Sequence, residues 1–425
     1  MSKLERIAIL AGGGPAPGIN SVIGAATIRA CLAGCDVIGI NDGFHWLMQG
    51  DASRVTNLTI KNVAAIHFRG GSSIGISRAN PARDRAALER TVDALERLGV
   101  SGLITIGGDE TALAAMQLSE VSGGHIKFVH VPKTIDNDLD LPNGVPTFGF
   151  QSARHVGVGI VKDLQVDAAT TSRWYFIITM GRKSGHLALG IGKAAGVTLT
   201  VIPEEFSSPT VPLKTVVDVL AGAVIKRRSY GRRDGVAILA EGVMERIDPS
   251  DRERFSETTL DRESNRRISE VRFAELLRTE VTERVAAFGI EPTIVAKNIG
   301  YELRCTDPIP FDMEYTRDLG YCASKYLLDG GTDAVVAMED GKFRPVAFSE
   351  LFDPATGNVR LRRVDISSDH YRIARRYMLR LRRDDFEDEL ELTKLSRTVG
   401  LSNTEFREQF EYLVKDEPPP LQFDR

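Results

Sequence analysis

Short apolar runs alternate with amphipathic stretches along most of the chain. The runs Arg6–Leu10, Val37–Ile40, Gly102–Ile106, Lys127–Val131, Tyr175–Met180, Thr198–Ile202, Val236–Ala240 and Ala334–Met338 read as buried strands. Between them, apolar residues recur at helical spacing over Ile19–Ala33, Pro81–Leu98, Thr111–Leu118, Gln151–Ala168, Leu213–Arg227 and Ile268–Phe288. Strand and helix in alternation predict an α/β fold, with mostly parallel sheets covered by helices on both faces. Ligands of such folds sit where strands end, so glycine-rich turns after strands are the places to look for chemistry. The charge-rich stretch from Asp248 to Arg267 reads as an exposed loop or short helix. From about Ser367 the pattern is helical and rich in Arg and Glu, and it stops at Pro418-Pro419-Pro420. This tail reads as a surface appendage or an oligomer contact.

Composition narrows the classes. A length of 425 residues with 42% hydrophobic and 26% charged residues is that of a globular protein with more than one compact lobe. The net charge of −4, with no basic block, argues against nucleic acid or an acidic membrane as the main partner. Four cysteines without a CxxC pair read as reduced thiols, and the first residues carry no leader or membrane-spanning run, so a cytoplasmic protein is expected. The seven histidines show no zinc-ligand spacing.

Four turns at strand ends carry candidate chemistry. Gly12-Gly13-Gly14-Pro15-Ala16-Pro17-Gly18 follows the first strand, where glycine lets backbone N–H groups approach an anion and the next helix adds its dipole. A ligand-free turn would look the same. In Gly107-Gly108-Asp109-Glu110-Thr111, Asp109 is placed to hold a hard cation such as Mg2+, while Thr111 has the plain reading of a helix cap. Pro132-Lys133-Thr134-Ile135-Asp136-Asn137-Asp138 puts two carboxylates beside a lysine and a threonine, suited to a general base next to an anion. An Asx-rich turn explains Asn137 and Asp138, but not Lys133 and Asp136. Met180-Gly181-Arg182-Lys183-Ser184-Gly185-His186 sets cations at the start of a helix, where they are disfavoured unless an anion binds. Ala240-Glu241-Gly242 and Gly300-Tyr301-Glu302-Leu303-Arg304 add a strand-end carboxylate and a set of donors for a phosphate or sugar.

Taken in order, these segments resemble the 6-phosphofructokinase family over roughly Ile7 to Met338, and in particular its pyrophosphate-dependent members. The resemblance implies two Rossmann-like lobes with a cleft between them: a phosphoryl-donor lobe over 1–145, a sugar-phosphate lobe over 146–310, a returning chain over 311–366 that completes the lobes, and a helical extension over 367–425. It implies transfer of a phosphoryl group to the 1-hydroxyl of fructose 6-phosphate, reversible when pyrophosphate is the donor, within glycolysis or gluconeogenesis. Asp136 would be the base, with Asp138 supporting it or the metal. Asp109 would hold Mg2+, and Thr134 would contact the transferring phosphoryl group. Gly13, Gly14, Gly108, Glu110 and Lys133 would line the donor. Met180, Gly181 and Arg182 would meet the sugar and the developing charge, and Glu241 the sugar hydroxyls. Tyr301 and Arg304 would hold the 6-phosphate. Arg173 matches an arginine lent across a subunit interface, which implies a homodimer or homotetramer. Gly24 and Ile28 stand where nucleotide-regulated members carry arginines, so control by ADP or phosphoenolpyruvate is not expected there.

Glu110 and Lys133 replace the small glycines of ATP-using members. The glutamate takes the space of a nucleotide α-phosphate, and the lysine meets the end of a shorter donor. Both favour pyrophosphate, but pyrophosphate users carry Asp at the Glu110 position, which leaves an ATP-dependent enzyme as the alternative. A catalytically inactive regulatory subunit is a further alternative, opposed by the presence of Asp109, Asp136 and Arg182. A lipid or NAD kinase would lack the Thr134–Asp138 segment, and a dinucleotide-binding oxidoreductase would need a G-x-G-x-x-G that the first unit lacks.

Overall fold

The computed structural model describes residues 4–254 and 262–417, with backbone alone over 262–270. The chain forms two compact units, one made of residues 1–155 and 301–362, the other of residues 156–300 and 363–425.

The first unit is built on strands β1 (Arg6–Ala11), β2 (Asp36–Ile40), β3 (Val55–Asn57), β4 (Gly102–Gly107), β5 (Lys127–Thr134) and β6 (Phe148–Gly149), joined by β11 (Ala334–Glu339) and β12 (Lys342–Ala347). Their order is β12-β11-β5-β4-β1-β2-β3, with β6 beside the end of β5. The central pairs are parallel, and only β3 and β12, at the two edges, run antiparallel to their neighbours. A central strand covered on both faces must be apolar at every position, and β1 is buried from Ile7 to Ala11. Helices Ile19–Leu32 and Pro310–Leu328 lie against each other closely enough that a Cβ at Gly320 would come 2.5 Å from the Val22 carbonyl oxygen. Ser324 Oγ donates to the Ala26 carbonyl at 2.8 Å across the same contact.

The second unit holds β7 (Trp174–Thr179), β8 (Leu199–Val201), β9 (Gly235–Ala240) and β10 (Ile294–Ile299) in an all-parallel sheet ordered β10-β7-β9-β8. The α/β class and the mostly parallel sheets match the expectation from the hydrophobic pattern. All eight expected strands are present. β3, β6, β10 and β12 were not read from the sequence: they are short, or, like β10 with its lysine and asparagine, too polar to stand out.

Segment boundaries differ from the expected ones, because the units break at 155/156, 300/301 and 362/363. Residues 363–417 are no free appendage but belong to the second unit. Tyr371, Phe386, Leu392, Leu395, Phe406 and Phe410 of this tail are buried, an apolar set hidden in the sequence among Arg and Glu. Lys226 Nζ meets both Asp385 carboxylate oxygens at 2.6 and 2.7 Å with both side chains buried, which ties the tail to helix Leu213–Ser229. The Pro418–Pro420 stop and part of the charge-rich 248–267 stretch lie outside the described residues. Among the described residues no helix is long and apolar enough to cross a membrane.

Candidate active site

In the first unit, three strand ends converge. β1 leads into the triple-glycine loop, β4 into Gly108-Asp109, and β5 carries Lys133 and Thr134 as its last residues. Lys133 is only 5% exposed, and its Nζ donates to the Gly14 carbonyl at 2.6 Å. The same ammonium lies 3.2 Å from where a Cβ at Gly13 would stand, and Arg304 Nη1 lies 2.9 Å from the equivalent point at Gly14. Side chains at either glycine would fill this space. A glycine turn can present N–H groups to an anion, but the Gly13 N–H is already engaged by the Ser77 carbonyl at 2.8 Å. Gly13 therefore contributes room, with φ at +83, rather than a free donor.

Cations are concentrated here. Burial, with Arg304 and Arg78 acting the same way and Asp136 and Asp109 opposing, brings the Lys133 pKa down to about 8. Arg304 Nε is buried without a hydrogen-bond partner, and its guanidinium stacks over the Tyr301 ring at 4.5 Å. Arg304 thus stands at the glycine loop beside Lys133. Arg78 was missed from the sequence. The Ser77–Gly12 bridge brings it to the loop, a pairing of distant backbone groups that leaves no local pattern.

The helix after β4 begins at Asp109, with Gly108 as its cap, so Thr111 lies inside the first turn and is not the capping residue. Thr111 is buried, and its side chain fills the space left by two glycines: a Cβ at Gly12 or at Gly107 would come within 2.5 Å of it. Asp109 and Glu110 both stand in the first turn, and Glu110 Oε1 pairs with Arg83 Nη2 at 3.1 Å.

The loop after β5 is held from several sides. Thr134 Oγ1 accepts the Asp136 N–H at 3.0 Å, and the Thr147 hydroxyl donates to the Thr134 carbonyl at 2.8 Å. Asn137 has φ of +57, and its Oδ1 accepts the Thr147 N–H at 3.2 Å, ten residues on, so its side chain ties the loop to Thr147 rather than closing a local Asx turn. Arg362, which no sequence pattern singled out, donates to the Asn137 carbonyl at 3.1 Å and the Val145 carbonyl at 3.0 Å. Its own N–H reaches the Asp138 carbonyl at 2.8 Å. Long-range clamping of this kind leaves no local trace in the sequence.

In the second unit, Met180-Gly181-Arg182 follows β7 and Glu241 follows its neighbour β9, so adjacent parallel strands deliver them together. The Glu241 N–H donates to the Thr179 carbonyl at 2.9 Å, and the Gly242 N–H to the Gly181 carbonyl at 3.1 Å. Gly181 has φ of +128, which favours glycine. The Arg182 guanidinium pairs with Glu245. A Cβ at Gly300 would meet Met180 at 2.8 Å, which brings the end of β10 to the same place. Arg173 precedes β7, at the opposite end from Met180, with Asp167 at 3.7 Å. A six-residue strand separates them, about 20 Å at the usual rise. Arg173 therefore cannot join Met180 and Arg182 of its own chain.

The matching family model, described as phosphofructokinase, covers residues 6–327. A Thermotoga maritima protein named pyrophosphate–fructose 6-phosphate 1-phosphotransferase is 47% identical over 411 residues, 96% of this chain and 98% of its own length. A Naegleria fowleri protein of the same name is 44% identical, over 97% of each chain. A solved structure of a pyrophosphate-dependent phosphofructokinase from Nitrosospira multiformis shares the fold, with a TM-score of 0.65 over 99% of this chain and 94% of that one, at 16% identity. With the family model matching most of its length and such relatives alongside, the chain belongs to the phosphofructokinase family.

Proposed function

We propose that this chain moves a phosphoryl group from pyrophosphate to the 1-hydroxyl of fructose 6-phosphate, giving fructose 1,6-bisphosphate and phosphate, in either direction. The observation that carries this is the cation cluster at the triple-glycine loop. Lys133 and Arg304 stand at Gly13 and Gly14 with Arg78 close by, and burial together with these cations lowers the Lys133 pKa. Such a site is stabilised by a compact polyanion, and pyrophosphate is one.

The first unit supplies the donor groups and the base. Lys133, Arg78 and Arg304 neutralise the phosphates, and Thr134 contacts the group in transfer. Asp136 takes the proton of the sugar hydroxyl as its oxygen bonds to phosphorus and the bond to the bridging oxygen breaks. Asp138 supports Asp136. The second unit supplies Arg182 for the developing charge, Met180 and Gly181 for the sugar, and Glu241 for its hydroxyls. Tyr301 orients Arg304, which serves the phosphates of either substrate. Among the described residues no three His, Cys, Asp or Glu side chains gather as a protein-only metal cage. Mg2+ is held through one or two carboxylates and the substrate's own phosphates, and Asp109, one of the two carboxylates that act on Lys133, would hold it here. The bound ion would neutralise phosphate charge. Arg173, remote from its own chain's sugar loop, serves a neighbouring subunit in a homodimer or homotetramer.

An ATP-dependent reading draws on one observation. Arg83 pairs with Glu110 and offsets the charge that would repel a nucleotide. Initial rates with fructose 6-phosphate and Mg2+, with pyrophosphate or ATP as donor, separate the two. Turnover with pyrophosphate alone is expected. Turnover with ATP alone refutes the donor assignment, and none with either refutes the acceptor.

A further inference from the structure

The Met180–Gly185 loop must hold its shape for Arg182 to be aimed, and its two ends are held differently. At one end the loop rests on the chain after β9, where a Cβ at Gly242 would lie 2.4 Å from the Arg182 carbonyl oxygen. At the other end stands Glu204, in the single turn Pro203–Glu205 that follows β8. One of its carboxylate oxygens, Oε1, accepts the Gly185 N–H at 2.9 Å and the Val364 N–H at 3.0 Å. The other, Oε2, is buried without a hydrogen-bond partner. Gly185 is the cap residue of helix His186–Ala195, and the Glu204 carboxylate accepts that residue's own N–H from outside the helix. A Cβ at Gly185 would lie 2.4 Å from Ile202 Cβ and 2.8 Å from Glu204 Oε2, so the loop is seated directly on this turn. The next residue, Glu205, is buried and pairs with Arg380 at 2.6 Å and Arg375 at 3.6 Å in the tail.

We propose that Glu204 is a positioning residue for the sugar: one oxygen of its side chain bolts the Gly185 end of the Met180–Gly185 loop to the chain at Val364. The inference rests on the assignment of Met180–Arg182 to the sugar. What the bolt needs is reach and an acceptor, not charge. Burial raises the Glu204 pKa, in keeping with an acceptor that works without ionisation. Glutamine keeps both the reach and a carbonyl oxygen able to accept two N–H groups. Aspartate keeps the charge but is one methylene short and cannot span both amides.

Two variants and two readouts test this. Glu204→Gln is expected to keep the KM for fructose 6-phosphate within about twofold of wild type, and Glu204→Asp to raise it about tenfold, as a small misplacement of a positioning group does. The KM for pyrophosphate is expected to stay the same in both. Hydrogen exchange of the backbone around Gly185 and Val364 is expected to quicken in the Asp variant and not in the Gln variant. Equal behaviour of the two variants, a matched rise in both KM values, or unchanged exchange overturns the proposal. If the wild-type protein does not turn over fructose 6-phosphate, the functional reading falls, and the exchange comparison still decides whether Glu204 is the bolt.

Discussion

Lys133 titrates within the range of an ordinary assay. Buried among Arg304 and Arg78, its ammonium loses its proton near pH 8 instead of 10.5. At pH 7 about nine-tenths of the free enzyme holds the charged form, and at pH 9 about one-tenth. Pyrophosphate pairs with the charged form, so kcat/KM for pyrophosphate, which reports the free enzyme, falls about tenfold over that interval. Pyrophosphate changes its own protonation in the same range, so the comparison is with Lys133→Met, which has similar length and no charge. At pH 7 that variant loses a charge-assisted hydrogen bond of about 1.5–3 kcal/mol, which lowers kcat/KM by roughly 10- to 150-fold. The ratio of wild type to variant then falls about tenfold between pH 7 and pH 9, because the donor's titration cancels. Stability gives an independent check. Between about 8 and 10.5 the unfolded chain binds a proton that folded Lys133 does not, so the ligand-free protein gains stability as pH rises, by up to about 3 kcal/mol. A rate ratio that stays constant from pH 7 to pH 9 would refute the reasoning.

Asp136→Ala is expected to lower turnover by at least ~10²-fold while fructose 6-phosphate still binds, checked by steady-state rates and calorimetry; near wild-type turnover removes Asp136 as the base. Glu110→Gly, alone and with Lys133→Gly, is expected to raise kcat/KM with ATP; no change after both means that donor choice does not rest on the space they occupy. Phe406→Ala, at a fully buried site of the tail, is expected to cost about 3–5 kcal/mol in denaturant unfolding, where a detached appendage would cost almost nothing. His130 is fully buried between the Thr105 hydroxyl at 2.8 Å and the Gly107 carbonyl at 3.0 Å, and burial holds its pKa at about 3 against 6.5. The unfolded chain therefore gains a proton that the folded one refuses as pH falls from 6.5 toward 3, so this site costs up to ~1.4 kcal/mol of stability per pH unit there, visible as a shallower acid limb in a His130→Gln variant.

Much of this protein is legible along the chain because its signals are local. A central parallel strand has to be largely apolar at consecutive positions, as Ile7–Ala11 and Gly102–Ile104 are, and a phosphate-sized turn has to be rich in glycine. Asp109, Lys133, Asp136, Arg182 and Glu241 all sit at or just beyond strand ends, where residue type and position together suggest chemistry. The tertiary structure decided what depends on residues far apart in sequence. Arg304 joins Lys133 and Gly14 only because the chain returns to the first unit at Tyr301, and Arg362 clamps the Asn137 loop from 225 positions away. The tail's place in the second unit rests on Lys226 meeting Asp385 and on aromatic rings that a charge-rich sequence conceals. Backbone partners were equally out of view. That the Gly13 N–H is taken by Ser77, and that Glu204 reaches both Gly185 and Val364, follows from where carbonyl and amide groups end up in space. Hydrophobic periodicity constrains side-chain faces, but it does not say which distant backbone group completes a hydrogen bond.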